Sequence, residues 1–377
     1  MNKKYLYLII ILISLTASCQ NKKPTAMSPE EKANTAQELY NRPSEIWPTN
    51  KNKNGDYYYS VSICSFPNYK SENAGSYFTT GKEKLGFLTM ENGVWPQSTS
   101  AVLNDEYHPI PKTLFAQWFS ISENKFYAGS FEMPTAVIQK YFDEMWLCYG
   151  SNKMGAEAYK HERFTDIIVG VAPKGIVIVW VSGGLQQIEI GRYQARETQM
   201  DWDDFRGLNG MGNGTRVEYL SNFKELKSVP YGKVDQYRKK YVWKVKIDGK
   251  NKTYACSFDL IMYNGEKESI YFEYDKRNKL ELRAIPKQVN FNWLMSDKSS
   301  FYIEVFFKED DIYAAFQTIS KEINTITTLI LKLDDTNKIE KIVLSNGIDE
   351  YVLDPQNIKI YGHGKNIENK VRPINEN

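Results

Sequence analysis

IPKTLFAQWFSISENKFYAGSF, Ile110 to Phe131, returns 175 residues later as IPKQVNFNWLMSDKSSFYIEVF, Ile285 to Phe306, without a gap. Seven of the 22 positions are identical: Ile110/Ile285, Pro111/Pro286, Lys112/Lys287, Trp118/Trp293, Phe126/Phe301, Tyr127/Tyr302 and Phe131/Phe306. Each copy reads as two aromatic and β-branched strands around a polar turn, Thr113 to Ser120 and Lys125 to Phe131 about Ser122-Glu123-Asn124, with Asp297 to Ser299 filling the second turn. Equal spacing through strands and turn predicts a hairpin whose register is the same in both copies.

A helix is expected after each hairpin. In MPTAVIQKYFDEMWLCYG, Pro134 suits a first turn, and Val137, Ile138, Tyr141, Phe142, Met145 and Trp146 share one face before Gly150. In KEDDIYAAFQTISKEI, Asp310 is the expected N-cap, and Ile312, Phe316, Ile319 and Ile323 form the apolar face. Past the first helix, Ile167 to Val171 and Ile176 to Val181 are nearly continuous apolar runs about the turn APKG, as strands buried on both faces should be. Leu185 to Tyr193 follows as a third strand, and TTLILKLDDTNKIEKIVLSNGIDEYVL repeats the three-run pattern after the second helix. Upstream, YYYSVSICSF from Tyr57 opens the β-rich part.

These elements predict a mainly β, α+β protein: two tandem, sandwich-like β-sheet-rich domains, each with one main helix. The boundaries are read as 55–198 and 233–365, a linker loop over 199–232 that carries the acidic DWDDF and the glycine-rich GLNGMGNG, and a tail at 366–377.

The first 18 residues run from Lys3 and Lys4 through an apolar stretch to the small residues Thr16, Ala17 and Ser18, the order of a secretion signal. The stretch is shorter than the about 20 residues a spanning helix needs. Cys19 stands where LTASC resembles a bacterial lipobox, so acylation at Cys19 and a polar tether over 19–54 are expected, with a short helix at Ser28 to Tyr40. Gln20 rather than aspartate after the cysteine favours the outer membrane, and Lys22 and Lys23 favour its periplasmic face.

Without Lys3 and Lys4 the 48 Lys and Arg become 46, equal to the 46 Asp and Glu, which excludes the basic excess of nucleic-acid binding. The cluster Arg238, Lys239 and Lys240 is read as solvated loop and strand-edge charge. Beyond Cys19 only Cys64, Cys148 and Cys256 remain, too few for a disulfide framework.

The IP-x(6)-W-x(8)-FY motif at Ile110 to Tyr127, the block VGVAPKGIVIVW from Val169 to Trp180 with Pro173 and Gly175 in its turn, and IEIGRYQA from Ile188 resemble the domain of unknown function 2931, a family of bacterial lipoproteins. The resemblance covers Tyr57 to Glu197, and the C-terminal half resembles the family only through the repeat. It implies a lipoprotein without an assigned catalytic set. Relatives encoded near antibacterial secretion systems imply, as an alternative, immunity to a secreted toxin.

Catalytic signatures are missing from the sequence. The three histidines, His108, His161 and His363, form no ligand motif, no Cys-x-x-Cys occurs, and no Gly-x-Ser-x-Gly elbow presents a serine. GLNGMGNG lacks the Gly-Lys-Ser/Thr ending of a phosphate loop. Asp201, Asp203 and Asp204 depart from EF-hand order and read as a solvated acidic turn, with a carboxylate-based envelope hydrolase as the weaker enzymatic alternative. No catalytic, metal or cofactor residue is therefore assigned. Pro111, Trp118, Tyr127, Pro173, Gly175, Trp180, Pro286, Trp293 and Tyr302 are taken as structural motif residues. The expectation is a non-enzymatic, membrane-anchored binding module, with the bilayer and an envelope or secreted protein as partners.

Overall fold

A computed structural model describes residues 50–86, 90–92, 95, 107–151, 157–223, 232–249, 253–270, 280–295, 300–322, 324–335 and 338–364. Cys19, the tether, the helix expected at Ser28 to Tyr40, Ile323 and the tail lie outside these residues.

In the first half the strands are β1 (Tyr57–Tyr58), β2 (Ser60–Ser65), β3 (Ser71–Asn73), β4 (Tyr77–Thr79), β5 (Lys84–Gly86), β6 (Met90–Glu91), β7 (Tyr107–His108), β8 (Thr113–Ser120) and β9 (Lys125–Glu132). Helix α1 (Thr135–Asp143) precedes β10 (Met145–Ser151), β11 (Glu157–Arg163), β12 (Asp166–Ala172), β13 (Ile176–Gly183), β14 (Gln186–Gln194) and β15 (Arg196–Thr198). Helices α2 (Trp202–Leu208), α3 (Arg216–Ser221) and α4 (Lys233–Tyr237) follow. The second half holds β16 (Lys240–Asp248), β17 (Thr253–Met262), β18 (Lys267–Ile270), β19 (Glu281–Ala284), β20 (Pro286–Met295), β21 (Ser300–Phe307), α5 (Glu309–Ile319), β22 (Thr327–Leu333), β23 (Ile339–Ser345), β24 (Glu350–Val352) and β25 (Ile358–Gly364). The chain is thus mainly β with a minor α component, as its pattern predicts.

The two halves share a strand order. The first hairpin lies in the order β15-β9-β8-β4-β5, and the second in β25-β21-β20-β17-β18. The other sheet reads β6-β2-β12-β13-β14 in the first half and β19-β16-β22-β23-β24 in the second. In both, a strand from before the hairpin pairs in parallel with a strand after the helix, β2 with β12 and β16 with β22. Such parallel pairing requires a long crossover, and here the crossover contains the hairpin and the helix. β14 meets β18 at Gln187 opposite Lys267, so two of the four sheets run together as one of ten strands.

This join explains the continuous apolar runs. Val169, Val171, Val177, Val179 and Val181 enter a core with Leu114, Ala116, Trp118, Ile138 and Phe142. Ile168, Ile178 and Trp180 face the other way, into a core shared with Tyr237 of α4, Trp243 of β16 and Phe316 of α5. β12 and β13 are buried on both faces because each face belongs to a different core.

The hairpin register departs from expectation. Trp118 lies opposite Tyr127 across four turn residues, whereas Trp293 lies opposite Phe301, and Asn292 opposite Tyr302. The copies have equal sequence spacing and differ in register by one residue, which reverses the facing of the second strand. The physical reason is in the side chains. In β21 the buried positions are Ile303, Val305 and Phe307, more apolar than the Tyr302, Glu304 and Phe306 that the other register would turn inward.

Three further expectations are corrected. The first helix ends at Asp143, with Glu144 extended, and Met145–Ser151 pairs antiparallel with Glu157–Arg163. The aromatic run MWLCY has strand preference, and only Ile138 and Phe142 of the helix are buried. The segment 199–232, read as a linker loop, carries α2 and α3. Phe205 of α2 is buried against Phe119 and Phe126, the outward residues of the first hairpin, at ring-centroid distances of 5.4 and 5.2 Å. At the second helix the first turn holds Glu309, Asp310 and Asp311, but the N-cap position is Lys308, without a side-chain cap bond.

Candidate functional site

The motif residues of the first half pack rather than line a groove. Trp118 is fully buried and stacks on Tyr127, centroids 5.4 Å apart. The Tyr127 hydroxyl donates to Glu123 Oε1 at 3.2 Å, Ser120 Oγ donates to Glu123 Oε2 at 2.9 Å, and the Lys174 amide donates to the same carboxylate at 3.1 Å. Glu123 therefore ties the hairpin turn to the APKG turn. Gly175 has φ +76°, and a Cβ there would stand 2.5 Å from Ala195 O and 3.0 Å from Tyr127, so the turn needs glycine for both conformation and clearance. Pro173 is buried in the same turn. Pro111 is buried before β8, and Pro286 is buried as the first residue of β20, a strand position that tolerates a missing N–H.

Trp180 lies apart from this cluster, in the other core, edge-on to Trp95 with centroids 5.0 Å apart. Trp118, Tyr127 and Trp180 are thus not brought to one surface. Tyr302 is half-buried and its hydroxyl donates to Glu304 Oε1 at 2.6 Å, with burial the main cause holding its pKa above the usual tyrosine range. Trp293 is placed by its backbone in β20, and its side chain lies outside the described residues.

Asp201 is the N-cap of α2 and accepts hydrogen bonds from the amides of Asp203 and Asp204, while Asp203 pairs with Arg206 at 2.5 Å. The acidic turn is therefore committed to capping a helix that covers the hairpin. Replacing Asp201 by alanine is expected to cost about 1 kcal/mol of stability, and by asparagine far less, because asparagine also caps; urea denaturation of the three proteins checks this. His108 is buried with Nδ1 3.0 Å from Glu83 Oε1 and its ring edge-on to Tyr59. The side chains of His161 and His363 lie outside the described residues. Among the described residues no three His, Cys, Asp or Glu side chains converge in a metal-holding group.

A site that motif reading missed lies where the two halves join. A cleft of about 350 Å³ opens between the end of α1 and β10, the β14–β18 junction and the edge strand β19. Its apolar wall includes Met145, Trp146, Phe164, Met262 and Leu282. Its polar wall is an ordered set of charges. Arg283, only 3% exposed, donates from Nε and Nη2 to the two oxygens of Glu268 at 2.6 and 3.0 Å, and from Nη1 to Trp243 O at 2.9 Å. Lys240 Nζ lies 2.8 Å from Glu266 Oε1. Gln186 and Gln187 in β14 are buried and donate to Ser269 O and Gly265 O at 2.9 and 2.8 Å, clamping the hairpin that carries Lys267.

Two members of the basic cluster, Arg238 and Lys240, belong to this join, whereas Lys239 is exposed, as solvated charge should be. Arg238 pairs with Glu189 of β14 at 2.6 Å, and Lys240 with Glu266. Both link the first half or the β17–β18 turn to the strand that opens the second half. In sequence the cleft residues Lys267, Glu268 and Arg283 sit in the short polar runs KESI and ELRA, which read like any exposed edge strand. They come together only in the fold, Lys267 opposite Gln187 from a strand 80 residues away and Arg283 against Glu268 and Trp243.

No helix among the described residues is long and apolar enough to cross a membrane. A family model described as Protein of unknown function (DUF2931) matches residues 36–232, just over half of the 377 residues and more than the motifs alone mark out. The added stretch after Glu197 holds α2 and α3, which cover the first hairpin. No curated protein and no solved structure matches the chain.

Proposed function

This chain belongs to the DUF2931 family, and on that premise we propose that it is a lipid-tethered binding protein of the bacterial cell envelope which takes its ligand in the cleft between its two halves. The observation that carries the reading is the cleft's construction: opposed charges already paired at 2.6 to 2.8 Å beside an apolar wall, held by buried glutamines. Charges fixed in advance by partners recognise a ligand without a reorganisation cost. The tether rests on Cys19 and the signal before it, and the outer membrane, facing the periplasm, on Gln20, Lys22 and Lys23.

The tether has a direct test. In cells fed a clickable palmitate analogue the protein is expected to take up label and to sediment with membranes, and Cys19→Ala is expected to lose both. Label retained in Cys19→Ala would refute acylation at that residue. For the cleft, a photo-cross-linking amino acid at Leu282, which is 57% exposed and on the cleft wall, should give a specific adduct in intact cells. The same group at Ile348, 91% exposed on a distant turn, is the control. The absence of an adduct at 282, or identical adducts at both positions, counts against the cleft as the binding site.

A further inference from the structure

The cleft contains a cation that has no counter-charge among the described residues. Of its three basic residues, Lys240 is committed to Glu266 and Arg283 to Glu268, with Glu281 at 3.7 Å as well. Lys267 lies opposite Gln187 on one side and Ile261 on the other, and among the described residues no carboxylate comes within 4.0 Å of its Nζ. Its side chain is largely buried, and burial holds its pKa below that of an ordinary lysine, with no charged neighbour acting in the other direction. A second donor shares the cleft. Trp146 is 7% exposed, and its indole N–H is buried without an acceptor among the described residues. Burying donors without acceptors is costly, and burying a charge more so, which marks a place where a ligand would supply what the fold does not.

We propose that this cleft is a receptor for a small apolar carboxylate, whose carboxylate group docks on the Lys267 ammonium and whose hydrocarbon body lies on the wall of Met145, Trp146, Phe164 and Met262. The inference deepens the binding reading above and rests on it. Three observations select the class. The volume, about 350 Å³, admits a ligand of short-chain or single-ring size. One open cation calls for one negative charge. Glu144, Glu266, Glu268 and Glu281 outnumber Lys240 and Arg283 in the rest of the lining, so a dianion such as phosphate meets net repulsion.

Binding is expected to raise the Lys267 pKa, because an opposite charge in contact favours the ammonium form. The test uses the full chain from residue 20, ¹⁵N-labelled at lysine, with butyrate, benzoate and hexanoate as carboxylate probes, and butanol and inorganic phosphate as controls. The Lys267 Nζ signal, identified by its loss in Lys267→Met, should titrate at least one pH unit higher with a carboxylate bound. Calorimetry should show saturable binding weakened tenfold or more in Lys267→Met and unchanged in Lys287→Met, which removes an exposed lysine of β20. A circular dichroism melt checks that each variant folds. Carboxylates that leave the Lys267 titration unmoved, or bind Lys267→Met equally, overturn the proposal, and phosphate binding as tightly as benzoate overturns the ligand class. A cleft adduct at residue 282 combined with no carboxylate effect would reject this ligand while retaining the binding reading, whereas failure of both would reject both.

Discussion

Replacing Trp180 by alanine is expected to lower the free energy of unfolding by about 3–5 kcal/mol, the range found when a large buried aromatic is truncated to a methyl. Trp180 is 0% exposed and sits on β13, packed edge-on to Trp95 over Gly170. A Cβ at Gly170 would stand 2.4 Å from Trp95 and 2.6 Å from Trp180, so the two indoles already occupy the space a side chain there would need. The strand beneath is paired on both sides, to β12 and β14, and cannot move in to fill the void. The loss should appear as a lower urea midpoint with an unchanged m-value. Trp180→Phe, which keeps much of the volume, should lose less than half as much. A loss under about 1 kcal/mol in Trp180→Ala would mean that the site collapses freely, and would contradict a rigid two-faced sheet.

Much of this fold could be read before the structure, and the reasons are local. VGVAPKGIVIVW specifies two strands and their turn because its strand positions carry no polar side chain, and Pro173 and Gly175 mark the turn between them. The repeated hairpin was legible through its spacing alone. Its register was not, because register depends on which residues of the second strand are worth burying, and that depends on the sheet behind it. In the first copy Tyr127 goes inward to meet Trp118, and in the second Ile303, Val305 and Phe307 go inward instead. The end of the first helix is not legible, because Met145 and Trp146 continue the helical spacing while also suiting a strand, and periodicity cannot separate the two over a few residues.

The cleft was illegible for a different reason. Asp201 and the histidines drew notice as chemistry-bearing types, yet Asp201 caps a helix and His108 pairs with Glu83 beneath an aromatic. Lys267, Glu268 and Arg283 drew none, because a lysine or arginine in a polar strand is ordinary until another strand closes over it. Lys267 meets β14 across the contact between halves, while Glu268 and Arg283 meet across strands of the second half, and no local pattern encodes either contact. The contact between halves also makes the ten-stranded sheet, so the Lys267 side of the candidate site and the large-scale architecture arise from one junction.

The cleft's buried ion pair supplies the other large effect. Arg283→Met is expected to destabilise the protein by about 3–5 kcal/mol, the cost of leaving one member of a buried ion pair behind. The guanidinium holds both oxygens of Glu268 and the carbonyl of Trp243, thereby fastening edge strand β19 and its neighbour β16 to β18. Without it, the Glu268 carboxylate, 15% exposed, is left without its ion-pair partner. The double variant Arg283→Met/Glu268→Leu should recover a large part of the loss, since an apolar pair of similar size removes the stranded charge. A double-mutant cycle in urea therefore separates two causes. A favourable coupling of 1.5 kcal/mol or more, about the strength of a charge-assisted hydrogen bond, identifies the pair as the fastening between the sheets. Additive losses would instead mean that Arg283 acts through its contact with Trp243, and that the order of charges in the cleft does not depend on Glu268.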